Sequence, residues 1–295
     1  MKLALGTVQF GLRYGVANTT GQPGEADVTA ILRHAVDVGV KVLDTACLYG
    51  DSESVLGRCL PEDHEFQIVT KTPKFSGMDA ADAVMALHAA FDASSSRLGV
   101  QRVHGLLTHD ANDLLGPLGA SLWQTMVSLR DEGRVRRIGA SIYSGAQIDA
   151  LLARYPLELI QLPLSLLDQR LLQGGQMDRL HERGVEIHVR SVFLQGALLM
   201  QPDRLPSHLE GLRPHLAEIA RRAAAIGISP LQAALRFVAS LPQVSAVVCG
   251  VDSPRHFDEL AAALTPPLPA LDAAGATACA CSDTQLLDPS QWRHA

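Results

Sequence analysis

The chain is short of the features that mark several protein classes. Its five cysteines, Cys47, Cys59, Cys249, Cys279 and Cys281, are odd in number and show no paired metal-ligand spacing. Cys279-Ala280-Cys281 is too tight a pair for a zinc ribbon, so the cysteines read as reduced thiols, the compartment as cytoplasmic, and no metal is expected. Basic runs are few, and a net charge of -6 argues against a nucleic-acid partner. No apolar run is long enough to cross a bilayer, so no membrane partner is expected. The opening Met1-Lys2-Leu3-Ala4-Leu5-Gly6 lacks the long apolar region of a secretory signal. No Gly-x-Gly-x-x-Gly follows the first apolar strand, which removes the usual fingerprint of an open, doubly wound nucleotide-binding sheet.

What is present is a series of apolar segments in a chain of 295 residues that is 47% hydrophobic, enough for a substantial core. Three successive segments end in an ionisable residue. Val42-Leu43-Asp44 ends in a carboxylate, Ile68-Val69-Thr70-Lys71 in an ammonium, and Val103 to His109 in an imidazole. An unpaired charge out of water is costly, so a buried acid at a strand end needs a partner. Tyr49-Gly50 follows in the loop after Asp44. These residues predict one site at the carboxyl edge of a parallel sheet.

Strands alternate with helices along the rest of the chain. Strands are expected at Leu3–Leu5, up to Asp44, and at 66–71, 103–109, 138–143, 157–163, 186–193 and 244–250. Helices are expected at 25–38 (apolar face Val28, Ile31, Leu32, Ala35, Val36), 52–60 with Ser52 as N-cap, 79–98, 118–131, 145–154, 176–183, 212–226, 230–239 and 254–263. Eight evenly spaced strand–helix units predict an α/β fold, a closed (β/α)8 TIM barrel, over an open sheet. The barrel spans residues 1–265. A tail, 266–295, is rich in Pro, Ala and Thr and is expected to dock near the barrel mouth through Leu287 and Trp292.

Singly, Asp44, Tyr49, Lys71 and His109 each have an ordinary structural reading. Together they make a proton donor. A free tyrosine has a pKa of about 10. A neighbouring lysine cation lowers it, the aspartate holds the lysine, and the histidine orients a carbonyl.

The motifs Gly6-Thr7…Gly11, Leu43-Asp44-Thr45-Ala46…Tyr49-Gly50, Ser52-Glu53…Leu56-Gly57, Thr70-Lys71, Ile138-Gly139-Ala140-Ser141 and Val248-Cys249-Gly250 resemble, in order, those of the aldo-keto reductase family. The resemblance implies a catalytic tetrad of Asp44, Tyr49, Lys71 and His109. It implies a nicotinamide cofactor extended across the barrel mouth, NADPH with NADH as the alternative. Gly6 and Thr7 lie in a motif on its path, and Ser141 and Gln161 match positions that hold the carboxamide. Arg190, Ser191, Phe193, Gln195 and Gly196 match the loop that wraps the pyrophosphate. Gly250, Ser253, Arg255, His256 and Glu259 match the adenosine-phosphate loop. The chain departs from common family residues at Ile142, Arg190, His104 and Leu260.

The expected partner is a small carbonyl substrate, and the expected assembly a monomer or small homo-oligomer. Gln9, Arg13, Tyr14, Arg190 and Gln195 predict a polar pocket mouth, and hence a polar aldehyde or keto-sugar. A cofactor-binding regulatory barrel with little turnover is the alternative; it leaves the intact tetrad without a purpose.

Overall fold

In the computed structural model, which describes residues 1–16, 18, 21–267, 269–289 and 292, strand β1 (Leu3–Gly6) is buried along its whole length. It pairs in parallel with β2 (Val42–Asp44) on one side and β8 (Ala246–Gly250) on the other. A strand that joins first to last closes the sheet. Strands β3 (Gln67–Lys71), β4 (Val103–Thr108), β5 (Val135–Ser141), β6 (Leu159–Pro163) and β7 (Glu186–Arg190) complete the closed order β1 to β8.

Two apolar layers hold this barrel. Ala4, Val42, Val69, Leu107, Leu159 and Ala246 fill its interior. A larger cluster packs the outer strand faces against the helices. These helices are α1 (Glu25–Asp37), α2 (Ser52–Cys59), α3 (Ala80–Leu98), α4 (Gly119–Asp131), α5 (Gly145–Leu152), α6 (Gln176–Glu182), α7 (Arg213–Ala225), α8 (Pro230–Ser240) and α9 (Pro254–Ala263). Their ends follow local chemistry. Asp79 accepts from the Asp82 amide at the start of α3, and Gly99 ends it in the left-handed conformation. Ser229 and Gln232 form a capping box ahead of Pro230.

Several boundaries differ from the sequence expectation. Strand β5 begins at Val135, because buried Val135 pairs with Val103 although arginines surround it. Strand β7 stops at Arg190, because Ser191 turns to φ +64° and leaves the extended region. Val36 is exposed and not on the buried face of α1. Short helices at Val8–Gly11, Ala111–Leu115 and Arg170–Gln173 occupy stretches expected as loop or strand end.

The tail docks on the carboxyl side of the barrel. The Cys281 amide donates to the Leu167 carbonyl at 2.8 Å, and the Gln169 side chain donates to the Ala276 carbonyl at 2.7 Å. Leu167 and Gln169 lie in the segment leaving β6. Leu287 and Trp292 are both buried, with the Trp292 ring 6.0 Å from that of His208. Leu268, Ser290 and Gln291 of the tail lie outside the described residues. Among those described, no single helix is long and apolar enough to cross a membrane.

Candidate active site

Every strand delivers a residue singled out from the sequence to the same rim. Gly6, Asp44, Lys71, Ser141, Arg190 and Gly250 are the last residues of β1, β2, β3, β5, β7 and β8. His109 directly follows β4, and Gln161 lies in β6 in register with Ser141. Parallel closure places all these ends on one face, the usual location of a barrel's chemistry.

Asp44 and Lys71 form the centre. Lys71 Nζ donates to Asp44 Oδ1 at 2.7 Å and to the Thr45 carbonyl at 3.0 Å, and both side chains are almost wholly buried. Burial pushes the Lys71 ammonium down, and the Asp44 carboxylate opposes that shift. Removing one partner of such a pair strands a buried charge and costs roughly 3–5 kcal/mol. The Gln161 amide donates to the same Asp44 Oδ1 at 2.7 Å.

Tyr49 and His109 stand over this pair. Lys71 Nζ is 5.1 Å from the Tyr49 ring centroid, and the His109 ring meets Tyr49 edge-on at 5.6 Å and 84°. The Tyr49 phenol departs from the sequence expectation. Burial pushes its pKa up, the Asp44 carboxylate adds to that, and Arg190 pulls the other way. The charge of Lys71 is directed at Asp44, so the net direction is up and Tyr49 keeps its proton near neutrality. Burial, and then the Lys71 charge, lower His109 to about 4. His109 is therefore a neutral imidazole at neutral pH, and its buried Nδ1 has no hydrogen-bond partner among the described residues.

Polar side chains beneath the site fix the loops that carry it. Ser52 was expected to cap α2, but its hydroxyl donates to the Thr7 carbonyl at 2.8 Å and meets the Thr7 and Thr45 hydroxyls at 2.8 and 3.1 Å. Thr7 Oγ1 donates to the Asp44 carbonyl at 3.0 Å. The Tyr49 loop lies directly against Gly11. A Cβ on Gly11 would collide with the Tyr49 carbonyl, and Gly50 adopts φ +56° against the Gly11 carbonyl. Buried Glu53 accepts from Thr70 Oγ1 at 2.6 Å and from Arg97 at 2.6 and 2.9 Å, which ties α2 to β3 and α3 beside Lys71. Sequence reasoning noted Ser52-Glu53 as a motif without finding these partners.

The residues matched to the cofactor follow the rim from β7 to α9. Ser191, Leu194 and Gln195 hold φ of 64°, 50° and 54°, and Gly196 φ 93°, an unusual run of left-handed turns. Phe193 sits among them, partly buried. Ser253 caps α9 by accepting from the His256 amide. Arg255 is 89% exposed and pairs with Glu259 at 3.1 Å, while His256 meets Asp252 at 3.2 Å. His104 belongs to neither group. It crosses the barrel at the opposite strand ends to Glu186 at 3.0 Å, where His188 also reaches Glu186 at 2.8 Å.

The Aldo/keto reductase family pattern matches residues 2–280. The chain belongs to the aldo-keto reductase family. Two mycobacterial aldo-keto reductases, from Mycobacterium sp. strains KMS and JLS, are each 30% identical over 201 residues, 66% of this chain and 67% of theirs. Two solved structures share the fold. An aldo-keto reductase from Bacillus halodurans, in its holo form, superposes with a TM-score of 0.74 at 20% identity, covering 97% of this chain and 92% of that one. The glycerol dehydrogenase of Gluconobacter oxydans superposes at 0.72 and 20% identity, covering 94% and 90%. Membership makes this aldo-keto reductase an oxidoreductase of carbonyl reduction.

Proposed function

We propose that this chain reduces an aldehyde or ketone to the alcohol with a nicotinamide cofactor, NADPH ahead of NADH, and that Tyr49 is the general acid. The observation that carries this reading is the convergence of Lys71, 2.7 Å from Asp44, with the Tyr49 and His109 rings at one rim.

The rim residues suit a dinucleotide. The left-handed backbone at Ser191, Leu194, Gln195 and Gly196 is of the kind that builds anion-binding turns. The N-terminus of α9, capped by Ser253, favours an anion. Gln9 Oε1 is buried against Gly250 and has no partner among the described residues, which suits a polar contact to a ligand. We assign the carboxamide to Ser141, the pyrophosphate to the loop of Arg190, Ser191, Phe193, Gln195 and Gly196, and the adenosine phosphate to Gly250, Ser253, Arg255, His256 and Glu259. When bound, the nicotinamide supplies hydride to the carbonyl carbon.

The chain's own residues do the rest. Neutral His109 orients the carbonyl through a ring N–H. Tyr49 donates its phenolic proton to the carbonyl oxygen as negative charge develops there. Lys71 and Asp44 stand behind the phenol, so the tyrosinate left by proton transfer faces a cation held in place. A polar aldehyde or keto-sugar suits the mouth of Gln9, Tyr14, Arg190 and Gln195.

Single-turnover oxidation of bound NADPH, parent against Tyr49→Phe, tests the reading on the best substrate of a carbonyl panel. The variant should bind NADPH with fluorescence changes like the parent and turn over roughly 10² to 10⁴-fold more slowly. Equal substrate-dependent rates would place the proton on another group. Cofactor binding without turnover in the parent would favour a regulatory barrel.

A further inference from the structure

Arg190 ends β7 half-buried, on the inner side of the rim. Ile187 and Val189 pack on the outer face of that strand, so Glu186, His188 and Arg190 alternate to the inner one. The guanidinium donates to the Ile142 carbonyl, just past β5, at 3.0 Å and to the Ser191 hydroxyl at 3.1 Å. Its register partner is Pro163, so it spans from β7 to β5 across the end of β6. Its Cζ lies 4.2 Å from the centroid of the Tyr143 ring. These contacts hold the group in place without cancelling its charge. Arg97, Arg130, Arg134, Arg137, Arg170 and Arg222 are half-buried too, and each holds a carboxylate. Among the described residues, no carboxylate lies within 4.0 Å of the Arg190 guanidinium.

The other charges at the centre of the rim are matched or absent. Lys71 is paired with Asp44 at 2.7 Å. Tyr49 keeps its proton and His109 is a neutral imidazole at neutral pH. The charge of the exposed Lys74 reaches His109, and it also reaches Asp113, which answers it. What is left is the charge of Arg190, and it acts on Tyr49, Lys71 and His109 alike.

The reacting ring of a nicotinamide has to lie in this field. Hydride transfer needs the two carbons roughly 3–3.5 Å apart, and Tyr49 protonates the oxygen of the same carbonyl. The ring is neutral in NADPH. Once its hydride, with both electrons, has bonded to the carbonyl carbon and the oxygen has taken the Tyr49 proton, the ring of NADP⁺ carries one positive charge. The phosphates and the adenosine are identical in the two forms, so whatever Arg190 contributes to holding them cancels between the two.

We propose that Arg190 makes the site discriminate between the redox forms of its cofactor: the unmatched cation at the end of β7 repels the positive ring of NADP⁺ and leaves the neutral ring of NADPH alone. The protein then takes the reduced form from a mixed pool and releases the oxidised form readily after turnover. This rests on the carbonyl-reductase reading above and adds how the site tells the two forms apart. Like charges at such a separation, at the effective dielectric of a protein surface, change an affinity on the order of tenfold or more.

The test is a binding experiment without carbonyl substrate. NADPH, NADP⁺ and 2′-phospho-ADP-ribose, which has no nicotinamide, are titrated by calorimetry into the parent, Arg190→Gln and Arg190→Lys. NADH and NAD⁺ are compared in the same way. The parent should bind each reduced form at least roughly tenfold more tightly than its oxidised partner, and the bound couple should sit about 30 mV above the free one for each tenfold. Arg190→Gln should bring that ratio down roughly tenfold by tightening the oxidised form relative to the reduced one. Arg190→Lys, which keeps the charge, should retain most of the ratio. Arg190→Met, also uncharged, repeats the neutral test should the glutamine variant not fold. A ratio unchanged by loss of the charge overturns the proposal. Equal weakening of NADPH, NADP⁺ and 2′-phospho-ADP-ribose makes Arg190 a phosphate ligand only and overturns it too, with the reductase reading intact. A parent that binds none of the dinucleotides rejects that reading, and the proposal with it.

Discussion

Gln161 donates its side-chain amide to Asp44 Oδ1 at 2.7 Å, on the oxygen that also accepts Lys71 Nζ at 2.7 Å. The two donors come from opposite regions of the barrel, β3 and β6, and meet on one carboxylate from β2. The family resemblance gives Gln161 to the nicotinamide. In this structure its nitrogen is engaged by the Asp44 carboxylate.

Gln161→Leu should therefore destabilise the fold by about 1–3 kcal/mol, because a buried carboxylate loses a donor. It should also lower kcat roughly tenfold by loosening Asp44. Urea unfolding and steady-state kinetics read the two effects. A loss confined to cofactor affinity, with stability and kcat unchanged, would assign the amide to the nicotinamide alone.

The pH dependence of folding should carry the signature of His109. Burial and Lys71 lower its pKa from 6.5 to about 4. Between those values the unfolded chain binds a proton that the folded chain does not. This part of the stability is complete above the unfolded value and is lost as pH falls from 6.5 through 4. For His109→Asn the loss between pH 7 and 4.5 should be smaller than in the parent by roughly 2 kcal/mol. Identical losses in urea unfolding at the two pH values would show an imidazole that titrates freely.

Arg255 tests the cofactor preference. It is 89% exposed and tied to Glu259, so its contribution to binding a 2′-phosphate is screened. Arg255→Ala should weaken NADPH binding by about fivefold and leave NADH nearly unchanged. Asp252, 3.2 Å from His256, places a carboxylate where it would oppose a 2′-phosphate, so Asp252→Asn should tighten NADPH over NADH. Fluorescence titrations with both cofactors decide. Equal changes for the two would make these residues structural.

The tail is part of the folded barrel. Leu287 is buried, and its neighbour Leu286 packs against Gly211. Leu287→Ala should cost about 2–4 kcal/mol in urea unfolding. A cost below about 0.5 kcal/mol, the size of an ordinary surface change, would mean that the tail leaves the barrel in solution.

The barrel was legible because its signals are local. Each strand is a short apolar run, each helix carries a 3.6-residue stripe, and parallel closure puts every strand's last residue on one face. Asp44, Lys71 and His109 could thus be gathered from their positions alone. Partners across the barrel were not legible. Gln161 and Asp44 are 117 residues apart, and which side chain fills the space between β2 and β6 depends on register and closure. The same holds for Ser52, whose hydroxyl turned from a helix cap to Thr7, and for His104, which found Glu186 across the barrel floor. The phenol shows the difference most clearly. Its neighbours in sequence identified Tyr49 as the proton donor to propose, since a lysine and an aspartate end the adjoining strands. The direction of its pKa was decided by how much water the assembled mouth excludes and by where the Lys71 charge is directed, and both are properties of the packed barrel alone.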